Sequence, residues 1–214
     1  MSWRALREAR RYVLYALGAD LVLLLTGRRA GWMGVGTALA SLAFFRDPER
    51  VLDPDPNTVY ATADGVIVGV AEASDPWMPE QALRISTFLS LHDVHVIRSP
   101  VAGGITLFEE VKGGFAPAFL GRAGLNLRKR LAIEGPAGRV VVVQIAGMLA
   151  RRITSWASVG SRVTTGQRVG LIHFGSRTDV LLPADRFEAR VRVGERVRAG
   201  VTPIACGISG GRAR

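Results

Sequence analysis

A short motif that occurs twice constrains the fold of this chain more than any other feature of its sequence. The pattern V-G-x-R-V-x-x-G covers residues 159–166 and again residues 193–200. In each copy two valines flank a turn, and a glycine closes it. A looser echo relates residues 63–67 to residues 101–105. Repeated short turns of this kind are typical of barrels or sandwiches assembled from similar hairpins.

The region around these repeats has the composition of short strands. Runs rich in valine, isoleucine and phenylalanine alternate with glycine, and no long amphipathic helical period occurs. The predicted strands are residues 66–70, 83–89, 94–97, 104–108, 140–145, 169–174 and 187–193, with a glycine-rich loop at 113–124. We therefore predict a mainly β domain over residues 51–214, a barrel or sandwich with hairpin repeats like those of biotinyl and lipoyl domains.

The first 50 residues have a different character. Residues 12–26 and 30–45 are almost wholly apolar, and arginines lie at both outer ends. Each run is shorter than the roughly 20 apolar residues that a perpendicular span needs, and Asp20 is costly in a spanning helix. We predict a membrane-associating helical hairpin over residues 1–50, spanning or lying on the bilayer, at the cytoplasmic face of the cell membrane. A signal peptide and a buried hairpin of a soluble domain are the alternatives.

The composition limits the kinds of disulfide, metal site and binding partner that this chain can have. The single cysteine, Cys206, excludes an internal disulfide framework and a cysteine-rich zinc site, and three histidines leave few ways to build a metal site, so we predict no metal. The formal net charge of +10 permits nucleic acid or anionic lipid as a partner. Because aromatic residues make up only 7% and lie mostly in apolar runs, we predict no nucleic-acid partner.

A carrier domain would explain the repeated hairpins without any catalysis. Such a domain needs a lysine at a hairpin tip, and neither Lys112 nor Lys129 lies in such a turn. The chain thus has the scaffold of a carrier but lacks the attachment point. A non-enzymatic, membrane-anchored module of biotinyl or lipoyl type is the alternative to an enzyme.

Three polar clusters are candidates for chemistry. His92 and His95 are three residues apart, so a strand would place them on opposite faces, which argues against a two-histidine metal site. Asp64 precedes a glycine and by itself is typical of a turn. The Gly175-Ser176 pair lies between apolar runs, and the sequence contains no P-loop, nucleophile elbow or dinucleotide fingerprint.

The arrangement of these segments resembles the short bacterial type of phosphatidylserine decarboxylase, a pyruvoyl-dependent enzyme made as a proenzyme. The matching segments, in order and spacing, are residues 44–50, 63–65, 90–100, 144–147, 150–153, 166–167, 174–177, 179 and 183. The resemblance implies a membrane phospholipid as substrate. It also makes Gly175-Ser176 the expected site of self-cleavage.

The resemblance implies a mechanism in two stages. Attack of Ser176 on the carbonyl of Gly175 would give a large chain, 1–175, and a small chain, 176–214, with a pyruvoyl cofactor derived from Ser176. That group would serve as the electron sink that converts phosphatidylserine to phosphatidylethanolamine and carbon dioxide. We expect Asp64 to orient His95, and His95 to activate Ser176 and later donate a proton. His92 and His173 are the alternatives.

Arginines are candidates for binding the substrate's phosphodiester, because a guanidinium matches that group well. They are Arg98, Arg152 and Arg177, and a solvated surface role is the competing interpretation for each. Two positions depart from the family pattern. Leu127 stands where a glutamate is usual, and Arg98 stands where larger relatives have a second histidine, so the base for self-cleavage does not transfer directly. The oligomeric state is open, and a homo-oligomer fits the sequence.

Overall fold

The structure is a computed structural model that describes residues 2–27, 31–116, 125–148 and 151–208. It divides into two compact units, Met1–Glu49 and Arg50–Arg214. The first unit contains α1 (Trp3–Leu25) and α2 (Gly31–Phe44). Helix α1 begins well before the apolar run at residue 12, because Ser2 caps it and its side chain accepts a hydrogen bond from Ala5 N–H.

Asp20, which is costly in a spanning helix, has a local role in this unit. Its Oδ1 atom accepts a hydrogen bond from Gly34 N–H at 3.0 Å, which joins α1 to α2. A side chain at Gly34 would collide with the Asp20 carboxyl group. Within the part of the chain that the structure describes, neither helix is both long and apolar enough to cross a membrane.

The second unit is made of strands, so the prediction of a mainly β protein is confirmed. The strands are β1 (Thr58–Tyr60), β2 (Gly65–Ala73), β3 (Ala82–Leu89), β4 (Val96–Arg98), β5 (Gly103–Val111), β6 (Arg128–Gly135), β7 (Gly138–Ala146), β8 (Ile153–Ser155), β9 (Arg162–Val163), β10 (Arg168–Ile172), β11 (Ser176–Pro183), β12 (Phe187–Ala189), β13 (Arg196–Val197) and β14 (Pro203–Gly207). They form two three-stranded sheets, β1-β14-β12 and β4-β10-β8, and a curled eight-stranded sheet, β13-β2-β3-β11-β7-β6-β5-β9.

Two halves with the same antiparallel pairing make up this unit. In the large sheet, β13-β2-β3-β11 corresponds to β9-β5-β6-β7, and β11 pairs with β7 in the middle. The two small sheets correspond in the same way. The equivalent pairs are Gly65–Val197 and Gly103–Val163 at the edges, and Ile85–Val180 and Leu131–Val142 beside the centre. In sequence, the second half is inserted between β3 and β11 of the first.

The repeated motif forms the two edge strands of the large sheet, β9 and β13. In both copies the first glycine, Gly160 or Gly194, and the last, Gly166 or Gly200, have positive φ. This left-handed conformation favours glycine, which explains why the motif keeps both positions. The two closing glycines meet, since a Cβ on Gly200 would lie 3.2 Å from the Cα of Gly166. Likeness to biotinyl and lipoyl domains beyond this pattern stays a prediction.

The large sheet buries a different cluster on each face. Val180 and Leu182 of β11 belong to the main core on the inner face, and Leu181 belongs to a second cluster on the outer face. Because side chains alternate along a strand, Ser176 points to the inner face and Arg177 to the outer face.

Several predicted strands differ in their ends. The run 94–97 starts only at Val96, because residues 90–93 form a turn closed by Asp93 N–H donating to the Ser90 carbonyl. The run 187–193 ends at Ala189, and strand β11 begins at Ser176, before the apolar residues 180–182 of the sequence. Strand β6 was not predicted, since three of its first residues are basic and conceal the alternation. Residues 117–124 of the predicted glycine-rich loop lie outside the described residues.

Candidate active site

Ser176 is the first residue of β11, between Leu89 of β3 and Ala146 of β7. Its side chain is fully buried, and its Oγ atom has no hydrogen-bond partner among the described residues. The chain reaches it through two consecutive left-handed residues, Phe174 with φ 47° and Gly175 with φ 70°. Gly175 adopts this conformation freely, but in Phe174 it costs about 1 kcal/mol. The peptide before Ser176 is therefore held in a strained turn.

His95 contacts this turn directly. Its Nε2 atom accepts a hydrogen bond from Gly175 N–H at 3.2 Å, and its Nδ1 atom lies 2.9 Å from the carbonyl oxygen of Asp93. A carbonyl only accepts, so these two partners assign the proton to Nδ1 and leave Nε2 with a lone pair. The imidazole is 1% exposed. It is therefore a buried base beside the Gly175-Ser176 peptide.

The turn of residues 90–93 fixes the carbonyl that orients His95. The Oδ2 atom of Asp93 accepts hydrogen bonds from the backbone N–H and the hydroxyl of Ser90, and its Oδ1 accepts one from Arg196. Burial raises the pKa of Asp93, but the hydrogen bonds from Ser90 and Arg196 outweigh it and leave the pKa below its usual value. Asp93 is therefore an anion that ties the turn to β13.

Asp64 lies at the start of β2 but does not hydrogen-bond to His95. Its Oδ2 accepts from Arg50 Nη2 at 2.7 Å, and its Oδ1 accepts from Ala199 N–H at 2.8 Å. From the sequence we predicted that Asp64 orients the imidazole directly. In the structure, the Asp93 carbonyl makes that contact with Nδ1. The participation of Asp64 in self-cleavage stays a prediction.

The alternative histidines occupy different settings. His92 is exposed, within the turn of residues 90–93. His173 is fully buried, with its Nε2 atom 3.1 Å from Thr154 Oγ1, and its backbone N–H donates to the carbonyl of Arg152.

The three arginines predicted to bind phosphate occupy different settings. Arg98 is buried and donates to the carbonyl of Gly166, between the two closing glycines of the repeats. Arg177 lies on the outer face, where it pairs with Asp179 and donates to Ser86. Arg152 is half-buried. Their role with substrate stays a prediction.

The β7–β8 connection also reaches the site, which the sequence did not reveal. A Cβ on Gly147 would collide with the carbonyl oxygen of Gly175, so only glycine permits this approach. Asn126 holds the connection by donating to the carbonyl of Ala146 at 2.9 Å. The only signal in the sequence was the resemblance of residues 144–147 to a family segment.

These features define a class of protein. A buried serine follows a strained glycine turn, with a buried imidazole bonded to that turn, in the middle of a sheet that holds the serine on both sides. This is a mainly β protein whose candidate reactive group is its own internal peptide. No group of three or more His, Cys, Asp or Glu side chains suited to a metal ion occurs in the described ranges.

Comparison with known proteins identifies the family. A family model described as phosphatidylserine decarboxylase matches residues 38–205. The chain is 45% identical over 196 residues to the phosphatidylserine decarboxylase proenzyme of Symbiobacterium thermophilum, covering 90% of this chain and 85% of that one. The corresponding proenzyme of Ruegeria pomeroyi is 41% identical over 204 residues, covering 92% and 93%. That of Erythrobacter litoralis is 39% identical over 223 residues, covering 95% and 88%.

The chain belongs to the phosphatidylserine decarboxylase family. It is an enzyme, a decarboxylase of the lyase class, and the prediction of this family from the sequence is confirmed.

Proposed function

We propose that this chain decarboxylates phosphatidylserine to phosphatidylethanolamine and carbon dioxide, in phospholipid biosynthesis, with a pyruvoyl group made from its own Ser176. One observation carries the proposal for this chain. At the Gly175-Ser176 peptide, a buried hydroxyl with no hydrogen-bond partner among the described residues follows a strained turn whose N–H donates to His95 Nε2. The names of the relatives support both the substrate and the processing of a proenzyme.

Self-processing begins with the Ser176 hydroxyl and the Gly175 carbonyl. Attack by Oγ moves the acyl group of Gly175 from nitrogen to oxygen, and elimination across Cα–Cβ then releases the Gly175 carboxylate. Residue 176 becomes a dehydroalanine, and one water converts it to a pyruvoyl group with loss of ammonia. The glycine turn assists the first step, because Gly175 has no side chain to obstruct the approach to its carbonyl.

His95 is the base that we assign to this stage. Nε2 carries the lone pair and accepts from the N–H of Gly175, the residue before Ser176. To take the proton of the serine hydroxyl, this lone pair has to be released from the Gly175 N–H. Asp64 contributes through charge, with Arg50 as its partner, rather than through a hydrogen bond to the imidazole. A serine hydroxyl is a poor nucleophile without such a base.

The residues around position 176 fit a pyruvoyl group. Strands β3 and β7 pair with both edges of β11, so the first residue of the small chain stays fixed after cleavage. When present, the group supplies an electron sink for loss of the substrate's carboxylate. The imidazole of His95 can donate or accept a proton beside this group, and the burial of both residues excludes bulk water.

The two chains stay together after cleavage. The small chain, 176–214, contains β11 to β14, which are distributed over two of the three sheets and pair with strands of the large chain, 1–175. Separation would break the centre of the large sheet. The active enzyme is therefore a complex of both chains.

The first unit supplies the attachment to the membrane. Helices α1 and α2 carry many exposed apolar side chains, and arginines lie in the first half of α1 and follow α2. This composition suits a segment that lies at the interface with anionic lipid, on the cytoplasmic face of the cell membrane. Residues 1–50 are thus the membrane-associating part and residues 51–214 the catalytic part.

A carbonyl reagent tests the proposal. The purified protein is incubated with vesicles of phosphatidylserine labelled in the headgroup carboxyl carbon, without pyridoxal phosphate, and released carbon dioxide is measured. We expect release that phenylhydrazine abolishes. Turnover that survives phenylhydrazine, or no turnover by fully cleaved protein, would contradict the proposal.

A further inference from the structure

The inner face of the large sheet is polar at its centre, where a core would be apolar. Gln144 of β7 and Thr178 of β11 lie directly opposite each other, and Ser176 lies two residues from Thr178 on the same face. All three are fully buried. Their hydroxyl and amide atoms have no hydrogen-bond partner in the described part of the chain. Buried polar groups without partners are rare, and each one requires a specific explanation such as a catalytic role, a water or a ligand.

The small sheet β4-β10-β8 faces this cluster with Gly170, which has no side chain. A Cβ at Gly170 would lie 3.1 Å from Oε1 and 3.4 Å from Nε2 of Gln144, so the amide reaches to the backbone of β10. Ser155, which pairs with Gly170 across the sheet, also has a buried hydroxyl, and no described residue forms a hydrogen bond with it.

The other half of the unit has apolar residues at the equivalent positions. Register places Leu182 at the position that corresponds to Gln144, and Val140 at the position of Thr178. Both belong to the main core. The fold therefore accommodates apolar side chains at these positions, and the polar pair in one half serves something other than packing.

We propose that Gln144 and Thr178 bind the carboxylate of the substrate's serine headgroup. This inference rests on the proposed function. The headgroup carboxylate is bonded to the carbon that carries the amine, so an amine that reacts at residue 176 places the carboxylate beside these donors. The amide NH2 and the hydroxyl donate to an anion with several lone pairs, and such bonds are stronger than neutral ones.

Neutral donors suit a carboxylate that has to leave. An arginine at this position would stabilise the ionised carboxylate more than the transition state, in which its charge is moving away, and would slow the reaction. An amide and a hydroxyl orient the group with less stabilisation of the ground state. Gln144 is thus a substrate-binding residue that favours a carboxylated headgroup.

The test compares Gln144→Met with Gln81→Met, which makes the same change at an exposed position. Cleavage is measured by intact mass, and KM and kcat with dihexanoyl phosphatidylserine. The inhibition constant of dihexanoyl phosphatidylethanolamine, which lacks only the carboxylate, is measured in parallel. We expect Gln144→Met to be completely cleaved and its KM to be raised about 30-fold. The inhibition constant of phosphatidylethanolamine should stay within about twofold of wild type. Gln81→Met should match wild type throughout.

Stability provides a readout that does not depend on turnover. In the uncleaved Ser176→Ala background, Gln144→Met removes an unpaired buried amide, so we expect its melting temperature to rise by a few degrees. Thr178→Val should do the same, with a smaller rise in KM when made in the active chain. A fall in melting temperature for both variants would make the pair structural and overturn the inference.

Two further results would also overturn it. An unchanged KM in Gln144→Met would remove the amide from substrate binding. A parallel weakening of phosphatidylserine and phosphatidylethanolamine would assign the amide to the phosphodiester or the amine. Failure of the proposed function looks different, because wild type itself would then be uncleaved or inactive.

Discussion

The two halves of the β unit share their turns, bulges and strand pairing, but they differ at the positions that carry chemistry. Asp64 stands before Gly65 in one half, and Ala102 stands before Gly103 in the other. The hydrogen bonds of the turn are the same in both: Ile67 N–H donates to Glu195, as Ile105 N–H donates to Ser161. An alanine therefore suffices to make this turn, and the carboxylate of Asp64 is additional.

The same contrast applies at the cleavage site. By register, Ser176 at the start of β11 corresponds to Gly138 at the start of β7. Gly138 closes a tight hairpin with Gly135, whereas Ser176 follows the whole inserted half. The β7–β8 connection, with Gly147, is longer than its counterpart between β11 and β12. The halves agree where packing decides the residue, and they differ around the Gly175-Ser176 peptide.

The largest effect is expected from Ser176→Ala. Alanine has no nucleophile, so the chain should remain uncleaved and without decarboxylase activity. Ser158→Ala, in a turn of the other half, is the matched control and should cleave normally. Gel mobility measures cleavage, and release of carbon dioxide measures activity. Wild-type activity in Ser176→Ala would end the pyruvoyl interpretation.

His95→Ala should follow, because it removes the imidazole that accepts a hydrogen bond from the strained turn. We expect cleavage to slow by about 100-fold or more, within the range of general base catalysis. The exposed His92→Ala is the control. His173→Ala shows what the loss of a buried histidine costs by itself, since His173 is equally buried but bonds to Thr154. Equal losses for His95 and His173 would assign both to folding.

Asp64→Asn keeps the shape of the side chain and removes its charge. We expect uncleaved chain to accumulate, with cleavage about 30-fold slower, or about 2 kcal/mol in barrier. Turnover divided by the cleaved fraction should stay near wild type. The control is Ala102→Asp, which puts the carboxylate into the other half at an exposed position and should change nothing. Normal cleavage of Asp64→Asn would return Asp64 to a turn residue.

Gly147→Ala tests the longer connection. The added methyl group would meet the Gly175 carbonyl oxygen, so we expect this turn to shift and cleavage to slow by about tenfold. Gly104→Ala is the matched control, because its Cβ meets nothing within 4 Å. A time course of cleavage after unfolding and refolding measures both. Equal rates for the two variants would mean that Gly147 does not position the peptide.

The smallest effect concerns pH. The folded pKa of Asp93 lies below its unfolded value, so its contribution to stability is present above about pH 4 and is lost as pH falls through the folded pKa. In the Ser176→Ala background, Asp93→Asn should cost about 1 kcal/mol at pH 7 and less at pH 2. Denaturant unfolding at both values measures this. A cost that is independent of pH would contradict the assigned ion pair and hydrogen bonds.

Much of the fold was predictable from local sequence. Glycines at regular positions indicate turns, and alternating valines indicate strands. The contacts of Asp64 were not predictable. Ala199 is distant in sequence and is brought close by the pairing of β2 with β13, and Arg50 lies outside any strand, so no sequence pattern indicates its contact. His95 was predicted as the base, but its orienting partner is a backbone carbonyl, which sequence does not distinguish. Gln144 was hidden for a similar reason, because its lack of partners is visible only when β10 is placed above it.

Intact mass spectrometry of the purified wild-type protein tests the assignment of Gly175-Ser176 most directly. The prediction is two masses: a chain ending in the free carboxylate of Gly175, and a chain from residue 176 that is lighter by one ammonia than its serine form. Phenylhydrazine should add to the small chain alone. A single full-length mass in active protein, or a small chain that begins with an unmodified serine, would contradict the account.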